Sequence, residues 1–204
     1  MTLPATLDIA SVLVFALTGA LAASRAQLDI VGFIFVAALT AVGGGTVRDL
    51  ILDRPVFWVD RPLFVLIAAG AAVVVFFTAH LVESRYRLLI WLDACALAVA
   101  VPAGVAVALG AGQGWVVVLI MGIVTGCLGG LMRDVVCNDV PLVLQQGEPY
   151  VSCAFAGAGT ALLALNLGTG PALILCGAVT FAARAGALAF GWRIPVYRSR
   201  PPRQ

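Results

Sequence analysis

The sequence predicts an all-α integral membrane protein: seven transmembrane helices, arranged as two inverted three-helix repeats plus a seventh helix, with the second and fifth helices kinked at glycines. Three observations carry this. The 204 residues are 62% hydrophobic and only 11% charged, against roughly 25% charge in an average soluble domain, and the mean hydropathy is +1.09. Charge is missing from whole stretches: residues 94–132 and 149–183 contain no Asp, Glu, Lys or Arg. Each is long enough to cross a bilayer about twice, at ~20 residues per spanning helix. Finally, a glycine-rich segment ending in Arg-Asp occurs twice, 85 positions apart.

The spans follow in order at about 7–24, 29–47, 62–80, 89–109, 114–132, 150–166 and 171–192. The first has no Lys or Arg before it, so it lacks the basic leader of a cleaved signal peptide and reads as a retained helix. Glycines at 110–114 separate the fourth span from the fifth, and the stretch Asn166 to Pro171 separates the sixth from the seventh. None of the runs alternates apolar and polar positions over about ten residues, as a barrel strand would.

All twelve basic residues are Arg, and seven spans assign them to sides. Arg25, Arg85, Arg87, Arg133, Arg193, Arg198, Arg200 and Arg203 fall on the side of the C-terminus, while Arg48, Arg54 and Arg61 fall on the other. The positive-inside rule then places the C-terminus in the cytoplasm and the N-terminus outside. The expectation is a multi-pass protein of the cell (inner) membrane, in contact with membrane lipids. Trp58, Trp91, Trp115 and Trp192 lie at or near span ends, where amphipathic rings prefer to be.

At the 85-residue offset "GGGTVRD" (Gly43 to Asp49) falls on "LGGLMRD" (Leu128 to Asp134), Leu7-Asp8 on Leu92-Asp93, and Gly19 on Gly104. The repeats are expected at about 5–83 and 88–167, the seventh helix at 171–192, and a basic cytoplasmic tail at 193–204, the whole of 1–192 forming one transmembrane domain. Three spans per unit is an odd number, so the second unit enters the membrane from the opposite face. In such inverted repeats, permeation and substrate sites form near the midplane between broken helices of the two halves.

The candidate site follows from Gly43, Gly44, Gly45, Arg48 and Asp49 in the second span and Gly129, Gly130, Arg133 and Asp134 in the fifth. Glycine inside a helix costs about 1 kcal/mol relative to alanine, so the clusters predict a kink or unwinding, with freed backbone groups lining something wet. Thr46-x-x-Asp49 fits a capping box for a half-helix beginning after the glycines. An Arg or Asp near the bilayer centre costs roughly 3 kcal/mol, and such residues mark pathways or buried pairs. Adjacent helical residues do not face one another, so Arg48 is expected to pair with Asp134 or Asp93 of the other half rather than with Asp49. Two plainer readings stand beside this one: glycines packing helices closely, and charges at the membrane surface.

Two further charges are secondary candidates. Asp93 reads as a helix-end residue, and Arg184 either snorkels to the cytoplasmic side or lines the pathway. The five cysteines are odd in number and include no CxxC pair, which reads as small apolar packing. The single histidine, His80, reads as solvated. No metal site, cofactor or catalytic group is expected, and neither GxxxxGK[ST] nor GxGxxG occurs, so nothing points to a nucleotide or nucleic acid.

With "GGGTVRDLIL" in the second span and "GGLMRD" in the fifth, the chain resembles the bacterial proteins of the trimeric intracellular cation (TRIC) channel family over about residues 5–192. The resemblance implies a homotrimer with a pore in each subunit, conducting potassium and sodium ions between the glycine-kinked second and fifth helices. By position it assigns pore or gating roles to the Gly, Arg and Asp residues of the two motifs. The lysine-containing segments of animal members are absent, since the chain has no lysine. Some bacterial relatives are described as glycine transporters, so a carrier of glycine or another small zwitterion is the alternative. An intramembrane enzyme or a purely stabilising subunit is the third reading, and no Ser/His or HExxH arrangement supports it.

Overall fold

The computed structural model describes residues 3–82 and 84–197. Its helices are α1 (Leu3–Arg25), α2 (Ile30–Ile51), the single-turn α3 (Phe57–Asp60), α4 (Leu63–Thr78), α5 (Arg85–Gly110), α6 (Trp115–Val136), α7 (Val151–Leu163) and α8 (Thr169–Phe190). Six of them are long and apolar enough to cross a membrane, and α7 is a shorter apolar helix. The tail beyond residue 197 lies outside the described residues.

Local chemistry sets the helix ends. Asp29 caps α2 by accepting from the Gly32 N–H at 2.8 Å, and Ser84 caps α5 by accepting from the Arg87 N–H at 3.3 Å, satisfying donors that a helix start otherwise leaves free. After α8 the chain turns at Gly191, whose φ of 66° is the left-handed conformation a glycine adopts without strain.

α1 and α5 pack against each other at the centre. α2 and α4 pack on α1, while α6 and α7 pack on α5; α2 crosses α6, and α8 covers α5 and α7. Some features recur 85 positions apart: α2 and α6 begin and end at that spacing, and so do the left-handed residues Gln27 and Gly112 (φ 56° and 68°) and Asp53 and Asn138 (φ 51° and 56°).

Glycine clusters do not unwind these helices. α2 and α6 are helical without interruption through Gly43–Gly45 and Gly129–Gly130. In this structure the glycines serve packing. A methyl group on Gly44 would collide with the Thr125 carbonyl oxygen, and one on Gly129 with the Thr40 carbonyl oxygen, so the helices meet backbone to backbone at two reciprocal points. The capping box is likewise absent: Thr46 donates back to Val42 O at 2.7 Å within the unbroken helix and accepts from Trp58 Nε1 at 2.9 Å.

Candidate functional site

Each half carries one buried arginine held by two aspartates. Arg48 donates from Nε to Asp49 Oδ1 at 2.8 Å and from Nη1 to Asp8 Oδ1 at 3.0 Å; Arg133 donates from Nε to Asp134 Oδ1 at 2.7 Å and from Nη1 to Asp93 Oδ1 at 2.8 Å. The second carboxylate oxygen of each motif aspartate also has a fixed partner. Asp49 Oδ2 accepts from the Phe57 N–H at 3.0 Å and Asp134 Oδ2 from the Leu142 N–H at 2.9 Å. One aspartate thus orients the guanidinium and also folds the loop that follows its helix. In both halves two carboxylates meet one guanidinium, which leaves one formal negative charge per cluster.

This geometry corrects the expected pairing across the halves. Arg48 does bind Asp49, and each cluster stays within its own half. The helix-face rule describes where Cβ atoms point, whereas the long arginine side chain curls over its own helix and presents a rigid fork of donors to both carboxylates. Asp93 is corrected as well: it lies inside α5, fully buried, rather than at a helix end. Arg184 does not reach solvent. It is buried against the Tyr150 ring, its guanidinium carbon 4.9 Å from the ring centroid, and donates to Glu148 Oε2 at 3.0 Å. His80 is exposed at the end of the turn after α4.

The other glycines shape the surroundings. A Cβ on Gly43 would press on the flexible Met132 Sδ at 2.7 Å, and one on Gly45 on the Phe57 ring at 2.6 Å. Gly130 leaves room for the second cluster, since a Cβ there would stand 3.4 Å from both Asp93 Oδ1 and the Tyr150 hydroxyl.

Polar recesses open at both ends. One of about 200 Å³ is lined by Asp8, Arg48, Asp49, Arg54, Asp60 and Arg61 among others. A small void of about 10 Å³, about the space of one water molecule, shares Asp8 and Phe57 with that recess and is lined by Thr40, Gly44, Gly45 and Thr125 as well. At the opposite end a recess of about 280 Å³ is lined by Arg25, Tyr86, Leu89, Asp134, Asp139 and Leu142; it touches Asp134 but not Arg133 or Asp93. Just beyond α6, burial pushes the Cys137 thiol above its ordinary pKa, which keeps it protonated and unreactive.

Asp8, Glu148 and Tyr150 are site residues that the sequence reading did not single out. For Asp8 a signal existed, because the 85-residue offset places it on Asp93. Nothing comparable marks Tyr150, whose position in the first half holds Val65.

Comparison with known proteins places this geometry. Residues 5–80 and 90–166 match the family described as "Glycine transporter". The chain is 35% identical over 198 residues to the UPF0126 inner membrane protein YadS of Escherichia coli K12, covering 94% of both. It superposes with a TM-score of 0.90 on the TRIC trimeric intracellular cation channel orthologue from Rhodobacter sphaeroides, 42% identical, covering 94% of this chain and all of that one. The chain belongs to the bacterial TRIC family. A second TRIC cation channel structure matches with a TM-score of 0.85 at 25% identity, over 98% of this chain. These matches, together with six long apolar helices, make the chain a multi-pass membrane protein with the TRIC fold.

Proposed function

We propose that the chain is a monovalent cation channel, passing potassium and sodium ions through a pore in each subunit of a homotrimer, between α2 and α6. The observation that carries this reading is the pair of buried clusters, one on α2 with α1 and one on α6 with α5, on either side of the α2–α6 crossing, each holding two carboxylates on one guanidinium. A net negative charge lowers the energy of a cation beside it, most strongly where burial keeps water away, because Coulomb interactions strengthen as the dielectric falls. Held between two aspartates, Arg48 and Arg133 present little bare positive charge to a passing ion; swung free, either one raises the barrier. Gly43, Gly44, Gly45, Gly129 and Gly130 are the points at which α2 and α6 bend when the narrow passage widens.

The proposal extends to the architecture. The domain comprises inverted repeats at about 5–83 and 88–167 and a seventh spanning helix, with α7 crossing as the short sixth span. The N-terminus lies outside and the C-terminus in the cytoplasm, and trimerisation is supported by the structural relatives being described as trimeric channels. Single-channel recording in planar bilayers tests the function: cation-selective current is expected, increased when Arg48→Ala removes the guanidinium. A complete lack of such current in both the unaltered protein and this variant rejects it.

The family description favours one second reading, a glycine carrier, with an arginine binding the carboxylate and an aspartate the ammonium. Saturable counterflow of radiolabelled glycine in proteoliposomes, without unitary currents, decides for the carrier.

A further inference from the structure

Tyr150 closes the second half. Its hydroxyl donates to Asp93 Oδ2 at 2.7 Å, and its side chain is almost wholly buried. The ring supports the Arg184 guanidinium, which in turn holds Glu148, two positions before Tyr150 in the loop joining α6 to α7. That loop is also tied to the segment after α8. The Ile194 N–H donates to Gly147 O at 2.8 Å, and the Trp192 ring lies against Gly186, where a Cβ would come within 2.7 Å of it. One turn of α8, the α6–α7 loop and residues 191–197 therefore grip the tyrosine together.

The recesses of the two halves also differ. The first-half recess reaches Asp8 directly, whereas the second-half recess ends at Asp134, Leu89 and Leu142, short of Asp93. No apolar side chain does what Tyr150 does here: it fills the space and also engages the Asp93 oxygen that Arg133 leaves free. Among the described residues Arg184 Nε and Nη2 have no hydrogen-bond partner, so Glu148 and the ring are its main holds, and loss of either loosens the grip.

We propose that Tyr150 is the gate of the second half, and that Arg184, Glu148 and the segment after α8 position it. With the ring in place the Asp93 Oδ2 is covered and engaged by the Tyr150 hydroxyl; with the ring swung aside that oxygen is freed for a cation. This rests on the reading of the α2–α6 crossing as the conduction path, and the experiment separates the two.

Cys127 supplies a reporter that is independent of the solute conducted. It is buried in α6, within electrostatic range of Asp93 and Tyr150, while Cys176, fully buried in α8, reports general loosening. In a chain with Cys95, Cys137 and Cys153 replaced by alanine, modification of these two thiols by a water-soluble cationic methanethiosulfonate is followed by mass spectrometry, alongside potassium flux in proteoliposomes. Tyr150→Ala is expected to speed Cys127 modification about tenfold, the effect of a 1.4 kcal/mol change, with Cys176 unaffected. Tyr150→Phe, which keeps the ring but not the hydroxyl, and Arg184→Gln are expected to give smaller increases, and flux rises in the same order. Faster Cys127 modification without potassium flux upholds the gate and removes the conduction reading. Unchanged Cys127 rates and flux in both tyrosine variants overturn the gate. If Tyr150→Ala exposes Cys176 as well, Tyr150→Phe decides alone, and an unchanged Cys127 rate in it overturns the proposal.

Discussion

In the first half Asp8 keeps 12% of its side-chain surface and lines a polar recess; in the second its counterpart Asp93 keeps none and is bonded by Tyr150. The bonds inside the two clusters are nevertheless the same, atom for atom, from the Nε–Oδ1 and Nη1–Oδ1 pairs to the loop N–H accepted by Oδ2. Identical wiring in different degrees of burial separates two tasks. The ion pairs fasten α1 to α2 and α5 to α6, and they fold the loops that follow; the partner of the outer aspartate differs between halves, with Tyr150 bonding Asp93 and a recess meeting Asp8.

The comparison is broken most severely by removing an arginine. Arg133→Ala leaves the fully buried Asp93 without its counter-charge and Asp134 with only its loop N–H, and loss of one partner of a buried pair costs about 3–5 kcal/mol. Arg48→Ala should cost less, about 1–3 kcal/mol, because Asp8 can draw water from the recess. Thermal unfolding of both variants in detergent checks the order; equal losses would mean that burial does not distinguish the clusters.

Gly44→Ala and Gly129→Ala test the part of the structure that the halves share. Each new methyl group meets a backbone carbonyl that cannot turn away, and overpacking of this kind costs about 1–3 kcal/mol. Gly43→Ala meets only the end of the Met132 side chain and should be milder. The same melting assay reads all three, with the first two expected to agree closely.

Asp8→Asn sharpens the functional side of the comparison. It removes a carboxylate from the open cluster, leaves Arg48 with Asp49 alone, and is expected to lower potassium flux in proteoliposomes roughly tenfold, equivalent to 1.4 kcal/mol. Asp93→Asn, behind Tyr150, should lower it less. The smallest effect belongs to the surface pair of Arg25 and Asp139, 3.0 Å apart and about a third exposed: Asp139→Asn should change stability by less than ~1 kcal/mol, measured in the same melts.

The positions of the helices could be read from the sequence because the bilayer imposes a minimum apolar length, and charge-free runs therefore mark α2, α5, α6 and α8 to within a few residues. α3 was not readable. Its single turn at Phe57–Asp60 forms because Asp49 Oδ2 holds the Phe57 N–H, a contact eight residues apart that no periodicity signals. The motif residues were found from their repetition, but their partners were not. A rule about helix faces concerns Cβ positions and says little about an arginine that reaches around its own helix. Tyr150 and Glu148 escaped notice for the opposite reason, since neither is repeated and only the packing of α8 brings Arg184 to them.

The crossing of α2 and α6 has the logic of a symmetric homodimer contact: Gly44 meets Thr125 while Gly129 meets Thr40, residue i touching j and j touching i. The two halves therefore behave as tethered subunits. Each closes its own arginine cluster from residues of its own half, the outer aspartate lying 40 positions from the arginine, and their docking is an intramolecular association whose effective concentration is set by the short connection from α4 to α5. Lengthening that connection should slow assembly of the crossing while leaving the two ion-pair clusters, already complete within each half, intact.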